Sequence, residues 1–187
     1  MNASGYWVWS AYSTEPDLAF VTQWSGLSDA NAQRMLRGEK LARVPKIVVE
    51  RCKHGRFVDQ LGGQQGLLLV SPVLAKVLEG TVGASVQFVP VRVQSKPKLN
   101  YVAVNVLDSI PLFDRQRSTF ETFEGTQVIS KVSKLVLKQP PSNAPPLFHL
   151  SEEPTLILVN TRLRQDLQAA SNYPGVLTPV EKYRNEY

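Results

Sequence analysis

Few side chains in this sequence have the types and spacing that catalysis or ligand binding requires. Cys52 and His54 alternate at the end of a predicted strand, which would place a thiol and an imidazole on the same face. Such a pair could supply a nucleophile and its base, but no third group in the sequence would orient the imidazole. We therefore expect Cys52 to be an ordinary strand cysteine, and an enzyme that uses it stays an alternative.

The other candidate groups have ordinary structural explanations. His149 lies in the apolar run 147–150 and is expected on the open face of a strand rather than as a ligand. The glycine-rich segment 61–66 leads into a strand, whereas a phosphate loop must lead into a helix. Two carboxylate pairs fall in predicted turns, where acidic residues bond to their own backbone. These pairs are Asp108 with Asp114 and Glu152 with Glu153. We therefore predict no enzymatic activity and no cofactor.

The most pronounced clusters of like charge in the sequence are basic. Arg51, Lys53 and Arg56 cluster within six positions, and Arg115 and Arg117 form a smaller group. All five fall in predicted loops, and we predict that they bind a partner. The first cluster has a single adjacent ring, Phe57, and no nucleic-acid motif accompanies it. A solvated turn is the alternative explanation for this cluster.

Composition limits the partner without identifying it. The chain has 187 residues and a net charge of +5, with 21 Lys and Arg against 16 Asp and Glu. This excess favours nucleic acid, acidic lipid or an acidic protein surface. No apolar run approaches the ~20 residues that span a bilayer, and no signal peptide is visible. We expect a cytoplasmic protein that does not bind membranes.

Three short helices are predicted, two from N-cap signals at Ser28 and Ser71 and the third from apolar side chains at helical spacing alone. Two cover residues 29–37 and 72–79, with Gly80 ending the second, and the third contains Leu163 and Leu167. Short apolar runs bounded by Gly and Pro predict strands around these helices. The runs are residues 6–12, 46–50, 66–70, 86–93, 101–104, 134–138, 156–160 and 175–180.

The order of these elements recurs along the chain. The strand at 46–50 resembles the one at 134–138, an offset of 134 − 46 = 88. The strand at 67–71 resembles the one at 156–160, an offset of 156 − 67 = 89, and a helix follows each time. An internal duplication is one explanation, and convergence of two similar units is the other. We predict an α+β fold with two sheet-rich lobes, each with a short helix packed on a mainly antiparallel sheet. The lobes are expected at residues 1–95 and 96–187, joined in one compact unit.

The second half carries an ordered series of short segments. These are Asn105-Val106-Leu107-Asp108, then Asp114 and Ser118, Lys134-Leu135-Val136-Leu137, Leu147-Phe148-His149-Leu150, and Leu158-Val159-Asn160 leading a helix to Gly175-Val176. The series resembles the C-terminal signature of a bacterial family of polymorphic-toxin immunity proteins. That family is named after a myxobacterial toxin locus and was formerly a domain of unknown function. The resemblance covers residues 100 to 180, and residues 45 to 95 fit loosely.

The resemblance implies a cytoplasmic protein that neutralises a cognate toxin by occluding it. It supplies no catalytic residues. The positive net charge adds the expectation that the contact surface of the toxin is acidic. It disfavours a toxin that cuts nucleic acid, because inhibitors of such toxins tend to be acidic. We do not expect nucleic acid as the partner. The alternative function is a basic nucleic-acid-associated or regulatory binding protein.

Overall fold

The computed structural model describes residues 5–10, 15, 17–53, 55–63, 66–171 and 173–184. Within these ranges, helices and many strands combine in one chain, which confirms the predicted α+β class. The helices are α1 (Asp29–Leu36), α2 (Pro72–Val82) and α3 (Thr161–Ala170). The strands are β1 (Tyr6–Ser10), β2 (Phe20–Ser25), β3 (Ile47–Lys53), β4 (Gln60–Gly63), β5 (Leu69–Val70), β6 (Val86–Val93), β7 (Asn100–Val106), β8 (Ser109–Ile110), β9 (Thr119–Thr122), β10 (Ile129–Lys134), β11 (Leu147–Leu150), β12 (Glu153–Asn160) and β13 (Val176–Pro179).

Each helix starts at a side-chain cap. The caps are Ser28, Ser71 and Asn160, and each accepts a hydrogen bond from the backbone N–H three residues later. The predicted end of α2 at Gly80 is wrong, because the helix continues to Val82 and ends at Gly83, whose φ is +50°. Burial of Val82 in the apolar core favours the longer helix over the cost of about 1 kcal/mol for a helical glycine.

The strands form two main assemblies. In the barrel lobe, six strands close into a barrel in the order β2-β3-β6-β7-β5-β4. In the open-sheet lobe, five strands lie in the order β13-β1-β12-β11-β8, and the hairpin β9–β10 forms a separate two-stranded sheet. Helix α2 contacts the barrel strands, α3 contacts β1 and β12, and the two helices contact each other. No helix in the described ranges is long and apolar enough to cross a membrane.

The two lobes repeat one arrangement, as the recurring sequence pattern predicts. Without β3, the barrel order β6-β7-β5-β4-β2 corresponds to the open-sheet order β13-β1-β12-β11-β8. Corresponding pairs also share their direction, antiparallel in the first three cases and parallel in the last. The register agrees as well, since Pro90 lies opposite Val102 and Pro179 lies opposite Trp7, an offset of 179 − 90 = 89.

Each lobe takes one inner strand from the other half of the sequence. Strand β7, the first strand after residue 95, lies between β5 and β6 in the barrel. Strand β1 lies between β12 and β13 in the open sheet. The halves 1–95 and 96–187 therefore exchange their first strands between the two sheets. The division of the chain into these two domains stays a prediction.

The apolar core has three parts. One fills the barrel, one lies on the face of the open sheet that contacts β10, and one lies between the lobes with α2 and α3. The inter-lobe part contains Trp9, Leu68, Val70, Leu74, Leu78, Val82, Val104, Val106, Leu147, Ile157, Val159, Leu163 and Leu167. Since both helices bury their apolar sides there, each lobe covers a face that the other would otherwise expose.

A polar contact crosses the same boundary. The indole N–H of Trp9 on β1 donates to Gln60 Oε1 on β4 at 2.6 Å, and Gln60 Nε2 donates to the carbonyl oxygen of Ser10 at 2.6 Å. Gln60 is 3% exposed, so these bonds satisfy an amide that water cannot reach. Gly175, with φ of +100°, lies directly against this amide.

We expect Gly175→Ala to lower the free energy of unfolding by about 2–4 kcal/mol in urea denaturation. A methyl group there would lie 1.4 Å from Gln60 Oε1, so the amide must move and its hydrogen bonds are lost. The left-handed backbone adds about 1–2 kcal/mol. Gly125→Ala is the matched control, because Gly125 has φ of +71° and nothing within 4 Å of its added Cβ. Equal losses in the two variants would contradict the role given to Gln60.

Candidate functional site

The basic cluster predicted as a binding site begins inside a strand. Arg51 and Lys53 lie in β3, so the expectation that they occupy a loop is wrong. Strand β3 extends as far as Lys53 because β2 pairs with it there, with Cys52 opposite Val21 and Lys53 opposite Phe20. Pairing satisfies the backbone polar groups that a loop would leave to water. Arg56 lies beyond the strand, at a bridge with Leu18.

An open cleft of about 570 Å³ adjoins Arg51 on the barrel lobe. Its far side is the turn after β6, which is fixed beside β3 by a 2.9 Å hydrogen bond from Gln94 N to Val49 O. Exposed Arg51 and Lys96 therefore line one cleft, although 96 − 51 = 45 positions separate them. The lining residues are Thr22, Glu50, Arg51, Cys52, Gly55, Phe57, Ser95 and Lys96. Among the described lining residues, two cations face one carboxylate, a balance that favours contact with a carboxylate-bearing surface.

Lys96 is a residue that the sequence does not mark. It lies in a turn with Lys98 two positions away and Arg92 four positions away, and this basic group is not among the predicted binding residues. Its position beside Arg51 depends on the parallel pairing of β3 with β6. The charge of this group is visible in the sequence, whereas its position beside Arg51 is not.

Arg56 has a partner within the chain. Its Nη2 lies 3.5 Å from Asp17 Oδ2, and the two side chains are 62% and 64% exposed. An ion pair this exposed contributes at most about 1 kcal/mol. A binding partner could therefore recruit the guanidinium at small cost.

Arg115 and Arg117 belong to the open-sheet lobe and are engaged in its own structure. Arg117 Nε donates to Asp114 Oδ2 at 2.6 Å, and its Nη2 donates to Leu137 O at 3.2 Å. The hydrogen bond from the Arg117 side chain lowers the pKa of Asp114. Arg115 donates to Gln127 O at 2.8 Å and lies over the Phe120 ring, 5.2 Å from its centroid. These contacts order the loop after β8, and a role in partner binding stays a prediction for both arginines.

The candidate nucleophile lies in an environment that disfavours reactivity. Cys52 is half-buried against the barrel core, and burial raises the pKa of its thiol. A nucleophilic cysteine needs the opposite shift, since the thiolate is the reactive form. His54 falls outside the described residues, so its predicted alignment with Cys52 is not described. Among described residues, no group of three or more His, Cys, Asp or Glu side chains could hold a metal ion.

His149 is not on an open strand face, and that expectation is wrong. Its side chain is 4% exposed, because the face of β11 that carries it is covered within the fold. Burial lowers the pKa of His149 to about 4, and the backbone carbonyls of Pro154 and Val106 offset part of this effect. Neither ring nitrogen has a hydrogen bond of standard geometry within the described structure. The imidazole is therefore neutral at pH 7.

Comparison with known proteins supplies one match. A family model described as "Immunity protein family (Imm11)" matches residues 8–182, nearly the whole chain. No curated protein matches the chain.

Burial of the His149 imidazole should make the stability of the fold depend on pH. A folded-state pKa of about 4, below the ordinary 6.5, means that the unfolded chain binds the proton more readily between these values. The contribution of neutral His149 to the free energy of unfolding is fully present above pH 6.5. It is lost as the pH drops toward 4, by up to about 3 kcal/mol. We expect His149→Gln to reduce this slope in urea denaturation at several pH values, and His54→Gln to leave the contribution of His149 in place. An unchanged slope in His149→Gln would contradict the assignment.

Proposed function

Since this chain belongs to the Imm11 immunity protein family, we propose that it binds a cognate bacterial toxin and neutralises it by occlusion, without catalysis of its own. The observation that carries the proposal is the family match over residues 8–182, which spans both lobes. The proposed place of action is the cytoplasm, where the toxin would meet its target.

The fold supports inhibition by contact. A closed barrel joined to a second sheet through exchanged strands is a rigid support, and rigid partners lose little conformational entropy on binding. A stable inhibitory complex buries about 800 Å² on each partner and depends on a few anchor side chains. The proposed anchors are Arg51, Lys53 and Arg56 near the barrel cleft, with Lys96 added by the geometry.

The proposed contact surface of the toxin is acidic. Net charge is +5 over the chain, and the barrel cleft presents Arg51 and Lys96 against one carboxylate, Glu50. Opposite charge on the partner would speed association and exclude wrong partners. Arg115 and Arg117 are secondary anchor candidates, because their guanidinium groups are already bonded within the chain.

Co-expression with the toxin encoded beside this gene tests the proposed function. We expect the toxin alone to stop growth of a host strain, and this chain to restore growth and co-purify with the toxin in a stoichiometric complex. A toxin that kills equally with and without the chain would overturn the proposal. Retention of nucleic acid alone, released by high salt, would instead support the alternative of a nucleic-acid-associated protein.

We further expect the double variant Arg51→Glu with Lys96→Glu to raise the Kd for the toxin by at least about tenfold. Both residues line one cleft and are exposed, so the fold should tolerate the reversals. Arg43→Glu with Lys76→Glu is the matched control, since it makes the same change of net charge at exposed positions outside the cleft. Titration calorimetry measures both. Equal losses would show that net charge alone matters and would contradict the cleft as the anchor site.

A further inference from the structure

A second cleft lies in the open-sheet lobe, between the end of β10 and the end of the chain. Its volume is about 210 Å³. The lining residues are Lys134, Leu135, Val136, Leu137, Val180, Glu181 and Arg184. This cleft is separate from the barrel cleft, and neither the basic clusters nor the repeat in the sequence pointed to it.

The repeat explains why the cleft is there. In the barrel lobe, residues 47–49 of β3 pair in parallel with residues 91–93 of β6, and this pairing closes the barrel. The offsets of 88 and 89 carry these positions to residues 135–137 and 180–182. Residues 135–137 of the first segment and 180–181 of the second line the second cleft. The cleft therefore occupies the place where the first lobe has a strand–strand contact.

Segment 135–137, which corresponds to β3, keeps a pairing partner on one side and, within the described part of the chain, lacks one on the other. Phe113 bridges Leu137 in the open-sheet lobe, as Trp24 pairs with Val49 in the barrel. On the other side, Val180–Lys182 forms a 3-10 turn instead of extending β13. Across the described residues, no backbone hydrogen bond joins segment 135–137 to segment 180–182. The sheet thus stays open at this position.

The cleft combines an apolar floor with a rim of net positive charge. Leu135, Leu137 and Val180 are each at most 5% exposed. Among the described lining residues, two cations, Lys134 and Arg184, and one carboxylate, Glu181, are exposed at the edge. Arg184 Nη1 donates to the carbonyl oxygens of Tyr183 at 2.7 Å and Glu181 at 3.3 Å, which holds the guanidinium beside the opening.

Size narrows the class of ligand. The volume is several times the share of about 30 Å³ that one water takes in the liquid. It is below the range of about 300–1,000 Å³ typical of sites for drug-sized molecules. A side chain from a protein segment fits these limits better than a free cofactor.

We propose that this cleft receives an extended acidic segment of the toxin. One apolar side chain of that segment fills the floor between Leu137 and Val180, and a neighbouring carboxylate pairs with Lys134 and Arg184. The segment covers the gap that β3 and β6 close by direct pairing in the barrel lobe. This inference rests on the proposed function and adds a specific contact to it.

A competing contact is the tip of the β9–β10 hairpin. Phe123 and Val128 are 58% and 59% exposed there, and Phe123 N donates to Val128 O at 3.0 Å. Its nearby charges are mixed, with Glu121 and Lys131 paired at 3.5 Å, so it lacks the net sign of the cleft rim. The hairpin serves as the comparison site in the experiment.

The experiment measures the Kd of the full chain for the purified toxin encoded beside this gene. We expect Lys134→Glu with Arg184→Glu to raise the Kd at least about tenfold, and Lys76→Glu with Arg43→Glu to change it less than about threefold. We also expect Phe123→Ala to leave the Kd within about threefold of the parent value. Circular dichroism of every variant checks that the fold is retained.

Photo-crosslinking identifies the segment. A benzoylphenylalanine in place of Arg184 should crosslink to one acidic stretch of the toxin, and the same group in place of Lys76 or Phe123 should not. An unchanged Kd in the cleft variant, or crosslinks only from position 123, would overturn the cleft as the contact while leaving the proposed function intact. Failure of the parent chain to protect cells would overturn the proposed function itself.

Discussion

The reciprocal exchange of strands is the constraint on which the rest of the molecule depends. Strand β1 has a neighbour on each side in the open sheet, and β7 has one on each side in the barrel. An inner strand satisfies the backbone groups of both of its neighbours, so removing it would leave two unpaired edges. Because each of these strands comes from the other half of the sequence, neither lobe has a complete sheet without the whole chain.

This constraint also positions the polar contacts and the clefts. Strand β1 carries Trp9 to the boundary between the lobes, where its indole bonds to Gln60 of the barrel. In the barrel, the pairing of β3 with β6 brings the turn containing Lys96 beside Arg51. In the open-sheet lobe, loss of the corresponding pairing leaves a cleft between residues 134–137 and 180–184. The repeated strand arrangement therefore yields two different surfaces, because the sheet closes into a barrel in one lobe and stays open in the other.

Much of the local structure could be predicted from the sequence. Side-chain caps at Ser28 and Ser71 mark two helix starts, since each supplies an acceptor for a backbone N–H that has no helical partner. The offset of 89 residues indicates the repeat, because the strands at 67–71 and 156–160 carry similar apolar runs. Gly80 was misleading, since a helix that buries its apolar side can tolerate a glycine.

The sequence by itself determined the three helices, the strands that β1, β6 and β12 exemplify, the recurring pattern and the excess of positive charge, because these follow from side-chain chemistry over short spans. It did not mark β2 or β9, and the predicted strand at 134–138 is wrong beyond Lys134, where β10 ends. Only the tertiary structure decided which strands are neighbours, and with them the burial of His149 and the meeting of Arg51 with Lys96. A strand carries the same pattern of side chains whichever lobe it joins. Its place is settled by long-range backbone pairing and by shared burial between the lobes, which no short stretch of sequence encodes.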